Sequence, residues 1–218
     1  VRRRARQAGT AAALQLAAAA ADAAELRLIP VWPAVVSPEA ASSQVWSPEQ
    51  IKALIRDVPD FPKPGILFRD ITPLLGSPRG FDAAVAQMAD ALTAQRAEGL
   101  VAIESRGFLF GAALALRLQL PLQLVRKPGK LPSRTVGITY ALEYGSDRLE
   151  MHLDAVDKGR RYSIVDDVLA SGGTAAAAAA LIRELGGAVA GAAFLIELPA
   201  LQGRQRLPGV DVASLLSY

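Results

Sequence analysis

Residues 162–174, Tyr-Ser-Ile-Val-Asp-Asp-Val-Leu-Ala-Ser-Gly-Gly-Thr, constrain this chain more than any other stretch. Tyr162–Val165 reads as a buried strand that delivers Asp166 and Asp167 at its carboxyl end. A short turn then opens a helix over Ala175–Leu185, closed by Gly186 and Gly187. Open α/β sheets bind their ligands beyond the carboxyl ends of the strands, so this junction marks a ligand crevice. Glycines let backbone N–H groups approach an anion closely, and the dipole at a helix N-terminus favours negative charge. Ala170, Ser171, Gly172, Gly173 and Thr174 therefore read as a phosphate cradle with two hydroxyls to spare. The paired aspartates suit sugar hydroxyls.

The rest of the chain repeats the alternation. Ser47-Pro48-Glu49-Gln50 reads as a capping box, with Ile51, Leu54, Ile55 and Val58 following at helical spacing until the prolines at 59, 62 and 64 impose an irregular loop. Phe81, Val85, Met88 and Leu92 form one helical stripe, which Gly99 is expected to close. Strands are expected at Leu100–Ile103, Leu122–Val125, Ala188–Leu198 and Val210–Leu216, and a helix at Gly107–Leu118. Thr135–Ala141 and Arg148–Leu153 read as a hairpin around Glu143-Tyr144-Gly145. Strands alternating with helices predict an α/β fold with a mostly parallel sheet.

Composition narrows the chemistry. The 218 residues contain no cysteine and one histidine, which excludes disulfides, thiolate metal sites, cysteine nucleophiles and polyhistidine centres. A soluble protein of a reducing compartment is expected, with no membrane span. Five basic and three acidic residues fall in 1–47, so the pI near 9.4 is partly a property of that segment. The body is nearly balanced, which argues against a nucleic-acid-binding face. Residues 1–46, an arginine cluster followed by alanine-rich and Pro/Ser stretches, are expected to be a flexible extension to a domain over 47–218. The lone His152 and the two tryptophans, Trp32 and Trp46, are expected to pack rather than react.

The string VDDVLASGGT resembles the PRPP-binding motif of type I phosphoribosyltransferases. Phe61–Thr72 (FPKPGILFRDIT), Glu104–Gly111 (ESRGFLFG), Arg126–Pro132 (RKPGKLP), Leu142–Gly145 (LEYG) and Phe194–Pro199 (FLIELP) narrow the resemblance to adenine phosphoribosyltransferases. These blocks run in order across residues 48–218. The resemblance implies the type I phosphoribosyltransferase fold, a mostly parallel central sheet flanked by helices with a mobile hairpin loop over the site. It implies purine salvage: adenine and PRPP give AMP and pyrophosphate, with Mg2+ held mainly through PRPP or pyrophosphate rather than by direct protein ligands. A cytoplasmic homodimer is the usual form of the family.

Carried over residue by residue, the resemblance gives the 5-phosphate to Ala170–Thr174 and the ribose hydroxyls to Asp166 and Asp167. Arg106 would hold pyrophosphate beside a cis Glu104–Ser105 peptide, with Glu104 standing where the family usually has Asp. Arg126, Lys127 and Lys130 would belong to the loop that closes over PRPP. Glu143 would be the acid/base group near the purine imidazole nitrogens, with Tyr144 ordering the closed loop. Phe68 and Leu198 would sandwich adenine, Leu67 would supply main-chain hydrogen bonds and Arg69 would line the pocket. A pocket for a 6-oxopurine is expected to carry a lysine near the base, and Ile196-Glu197-Leu198 offers none. A PRPP-sensing regulator is the alternative of another class, but residues 1–46 show no helix-turn-helix pattern.

Overall fold

Gly99–Ile103 is buried at every position, and a strand with no polar face needs cover on both sides. The computed structural model, which describes residues 46–141 and 146–218, provides that cover. The chain opens with helix α1 (Pro48–Lys52), strands β1 (Arg56–Pro59) and β2 (Leu67–Asp70), and helices α2 (Thr72–Leu75) and α3 (Pro78–Ala94). It continues through β3 (Gly99–Ile103), α4 (Gly107–Leu118), β4 (Leu122–Val125), β5 (Thr135–Ala141) and β6 (Ser146–His152). It ends with β7 (Arg161–Leu169), α5 (Gly173–Glu184), β8 (Ala188–Glu197), two 3-10 turns and β9 (Val212–Ser217).

Five strands form a parallel sheet in the order β4-β3-β7-β8-β9. One core cluster gathers Ile164, Phe194, Leu181 and the alanines of α5; the other gathers Leu100, Phe110, Val165 and the Met88–Leu92 stripe of α3. After β3 the chain crosses through α4 to β4 on one side, and after β7 through α5 to β8 on the other. The β3–β7 pair is therefore the switch point of the sheet, where a crevice opens beyond the carboxyl ends. Two antiparallel ribbons, β1-β2 and β5-β6, flank the sheet sequence. Among the described residues no helix is long and apolar enough to cross a membrane.

Local chemistry accounts for most of the boundaries. The Ser47 hydroxyl accepts from the Gln50 amide (3.3 Å) and the Gln50 side chain accepts from the Ser47 amide (2.8 Å), completing the capping box. The expected helix over 51–58 is shorter, however. It stops at Lys52, and Val58 pairs across β1-β2 with Phe68. A residue before proline is pushed from helical to extended backbone, and Val58 precedes Pro59. Gly99 does not close α3. The helix ends at Gln95, Arg96 takes the left-handed turn at φ 55°, and Gly99 is already the first residue of β3. The buried Gln95 side chain fixes that end by donating to the carbonyls of Ala192 (3.1 Å) and Asp211 (3.0 Å). Leu67–Arg69 lie on the short strand β2 after the FPKPG loop, and β7 runs on through both aspartates to Leu169. Trp46 is partly buried against the second core cluster, while His152 ends β6 half-buried. Trp32 lies outside the described residues.

Candidate active site

The crevice is assembled from the two turns that leave β3 and β7. Gly172, at φ 80°, caps α5, so the helix begins at Gly173, two residues earlier than its alanine run predicts. Ala170–Thr174 line a concavity together with Asp166, Val168 and Phe194. The Thr174 hydroxyl lies 3.2 Å from the Tyr140 hydroxyl, which donates to Asp147 at 3.2 Å. With Tyr140's single hydrogen committed to Asp147, Thr174 is the donor in that pair. Asp147 also receives the Lys127 ammonium, so one hydrogen-bonded chain joins the phosphate loop, the β5-β6 ribbon and the segment after β4.

The paired aspartates sit in contrasting settings. The Asp166 carboxylate accepts from the Asp167 amide at 2.9 Å. Burial pushes its pKa well up, and the charge of Asp167 pushes it further. A Cβ on Gly107 would come within 2.8 Å of the Asp166 Oδ1, so only glycine lets α4 start this close to β7. Asp167 is 3% exposed; burial raises its pKa and the Arg106 charge opposes the rise. Arg106 Nε lies 2.9 Å from Asp167 Oδ2 without the alignment of a hydrogen bond. That buried oxygen consequently accepts no hydrogen bond among the described residues.

Arg106 serves a second neighbour. Its guanidinium stands 5.0 Å from the Phe68 ring centroid, and Phe61 meets Phe68 edge-on at 5.1 Å. Phe68 is thus half-buried between a cation and an aromatic edge, with Leu67 exposed beside it. Arg69 pairs with Asp57 and lies 4.0 Å over the ring of Tyr218, leaving its Nε buried without a partner. Leu198 follows β8, packs on the second core cluster and donates its N–H to the Leu169 carbonyl (2.9 Å).

The cationic segment converges on one carboxylate. Glu104 accepts from the Lys127 amide (2.9 Å), meets Arg126 at 3.4 Å and binds the Lys130 ammonium. Burial raises its pKa, but Lys130, the Lys127 amide and Arg126 together outweigh burial and bring it down to about 2. The Glu104–Ser105 peptide is cis. Sequence reasoning weighed Glu104 only as a replacement for Asp and missed its three partners; Asp147 and Tyr140 carried no signal at all. Leu142, Glu143, Tyr144 and Gly145 lie outside the described residues.

Comparison with known proteins gives the family. The phosphoribosyl transferase domain profile matches residues 82–214. An adenine phosphoribosyltransferase of Acidobacterium capsulatum is 54% identical over 170 residues, 78% of this chain and 94% of that protein. One from Solibacter usitatus is 55% identical over 168 residues, covering 77% and 97%. The crystal structure of the Thermoanaerobacter pseudethanolicus adenine phosphoribosyltransferase superposes with a TM-score of 0.77 at 50% identity, covering 79% of this chain and all of that one. The Saccharomyces cerevisiae enzyme, solved with an imino-altritol bisphosphate and adenine, superposes at 0.72 with 38% identity, covering 77% and 97%. This chain belongs to the adenine phosphoribosyltransferase family, the purine-salvage transferases that convert adenine and PRPP to AMP and pyrophosphate.

Proposed function

We propose that the crevice between the Arg106 turn and Ala170–Thr174 performs this transfer with the division of labour that follows. The observation that carries the reading is the Asp166–Asp167 pair at the carboxyl end of β7, with Asp166 lining the same concavity as Ala170–Thr174 and the Arg106 guanidinium 2.9 Å from Asp167 Oδ2. Two acids buried side by side are costly to keep, and ribose hydroxyls donating into the concavity offset that cost. The Ala170–Thr174 loop holds the 5-phosphate through backbone N–H groups and the Ser171 and Thr174 hydroxyls. Asp166 and Asp167 address the ribose hydroxyls and stabilise positive charge developing on the sugar carbon.

Arg106 faces pyrophosphate from one side, and Arg126, Lys127 and Lys130 supply further positive charge to the leaving group. Adenine lies against Phe68 and Leu198, with Leu67 offering backbone groups and Arg69 lining the pocket. Glu143 takes the N9 proton as the glycosidic bond forms. Among the described residues no group of three or more acidic or histidine side chains converges on a metal position. Mg2+ keeps several waters and is readily held by substrate phosphates, so it would enter mainly through PRPP or pyrophosphate rather than on direct protein ligands. When bound, the ion neutralises charge on the pyrophosphate.

Residues 47–218 form the transferase domain in this reading, and 1–46 are an appendage to it. The active form is a cytoplasmic homodimer; Leu116 on α4 and Leu124 on the edge strand β4 stand exposed, as an interface would require. Light scattering at working concentration tests the dimer. The function is tested by nucleotide formation from adenine, hypoxanthine, guanine and xanthine with PRPP and magnesium. Turnover of adenine alone is expected; preference for a 6-oxopurine would overturn the base-pocket assignment.

A further inference from the structure

Against the phosphate loop packs a second turn, Gly203–Arg206, which supplies none of the residues assigned above to substrate. We infer that Arg204 and Glu197 are positioning residues whose ion pair presses this turn against the phosphate loop and so sets the affinity for PRPP. The inference rests on the reading of Ala170–Thr174 as the phosphate cradle.

The two segments meet backbone to backbone. A Cβ on Gly172 would lie 2.3 Å from the Gly203 carbonyl oxygen, and a Cβ on Gly203 would lie 2.3 Å from the Ala170 carbonyl oxygen. The nearest atoms at both contacts are backbone, with the Leu169 side chain next at 3.0 Å from a Gly203 Cβ. Where the Gly203 turn goes, the phosphate loop follows.

A 3-10 turn of four residues has little rigidity of its own. Its position is fixed by Arg204, which donates from Nε to Glu197 Oε1 (2.7 Å) and from Nη2 to Glu197 Oε2 (2.6 Å). The same guanidinium donates from Nη1 to the Val212 carbonyl (2.6 Å) and from Nη2 to the Ser214 hydroxyl (3.0 Å). Ser214 in turn donates to Glu197 Oε2 at 2.5 Å. This planar fork fills both carboxylate oxygens at once, a geometry lysine cannot reproduce.

Glu197 is 7% exposed at the end of β8, and Arg204 holds its carboxyl below the usual carboxylate range. The next residue, Leu198, is bonded to Leu169 beside the start of the phosphate loop. The clamp therefore spans from the end of β8 through the turn to the loop after β7. Neither side chain reaches the sugar carbon or the base nitrogens, so its loss should weaken ground-state binding of the phosphate and leave the chemical step alone. A loosened loop must be reordered on binding, which lowers affinity.

The test compares wild type with Arg204→Lys and Glu197→Gln, by steady-state kinetics in each substrate and by calorimetric titration of ribose 5-phosphate. Both variants are expected to raise KM for PRPP and Kd for ribose 5-phosphate by about tenfold, with kcat within about twofold and KM for adenine within about threefold. Glu197→Gln keeps the size and shape of the pair and removes its charge, so it decides the matter should Arg204→Lys fail to fold. Unchanged PRPP affinity in the folded variants, or equal losses in kcat and both KM values, would overturn the clamp. Failure of wild type to bind ribose 5-phosphate would instead overturn the cradle reading beneath it.

Discussion

The phosphate loop and the cationic segment both gather positive potential at the crevice, and they do so by opposite means. In Ala170–Thr174 the potential comes from backbone N–H groups at a helix start, aimed by Gly172 at φ 80° and wedged against Gly203. In Arg126–Lys130 it comes from long side chains, and in this structure Glu104 pairs with Arg126 and Lys130 and Asp147 with Lys127. The first arrangement is preorganised and has no internal anion to displace. In the reading proposed above, the second meets a substrate phosphate only once its pairs with Glu104 and Asp147 open.

The comparison breaks most visibly at Gly172. Alanine there faces a left-handed backbone and a carbonyl oxygen 2.3 Å from its Cβ. Such strain costs a few kcal/mol, so kcat/KM for PRPP in Gly172→Ala should fall by roughly 100-fold. Steady-state rates with PRPP varied check this, and a loss under about threefold would show that the loop adapts as readily as the cationic segment.

Asp166 sharpens the contrast in the other direction. Burial, then the neighbouring Asp167 charge, raises its pKa well above the usual value. A carboxyl with a raised folded pKa favours the native state at low pH, and that contribution is lost as pH climbs through the folded value. A pKa raised in the folded state thus weighs against stability as pH rises toward neutrality. Asp166→Asn should raise Tm by a few degrees, the response of such a domain to about 1 kcal/mol. The same variant should lose at least about tenfold in kcat/KM for PRPP. Differential scanning calorimetry decides it, since a lowered Tm would mean that the charge is satisfied locally.

These two regions also differ in how far they could be read from the sequence. Strand, paired acids, glycines and helix follow one another between Tyr162 and Leu185, so local rules suffice, and even the capping box at Ser47–Gln50 was legible. The Glu104 cluster was not. Its partners lie 22–26 residues away, and only the β3-β4 pairing brings Arg126 beside it. Tyr140 and Asp147 are matched across the β5-β6 ladder opposite each other, a register that no hydrophobic pattern near the hairpin tip specifies. Helical spacing over Ile51–Val58 misled for a related reason. Leu54 and Ile55 do pack in the core, but from the turn that follows α1, and from Arg56 on the chain is extended and paired with β2.

The smallest expected effect lies at Glu104 and concerns protonation alone. Its carboxyl is buried, which by itself would raise the pKa, yet Lys130, the Lys127 amide and Arg126 lower it from an ordinary 4.5 to about 2. A depressed folded pKa means that the stabilising contribution is fully present above the unfolded value and is lost as pH falls toward the folded one. Docking of the cationic segment should therefore survive acidification through pH 4.5 and fail only on approach to 2. The Lys127 amide reports this directly, because it donates to Glu104 at 2.9 Å. In an NMR titration of the unliganded protein its proton shift should hold steady from pH 7 to about 3.5, more than a unit above the folded pKa. A transition centred between pH 4 and 5 would mean that Lys130, Arg126 and the Lys127 amide do not share Glu104 in solution. The cationic segment would then be as free of an internal anion as the phosphate loop, and the contrast between the two regions would reduce to backbone against side chain.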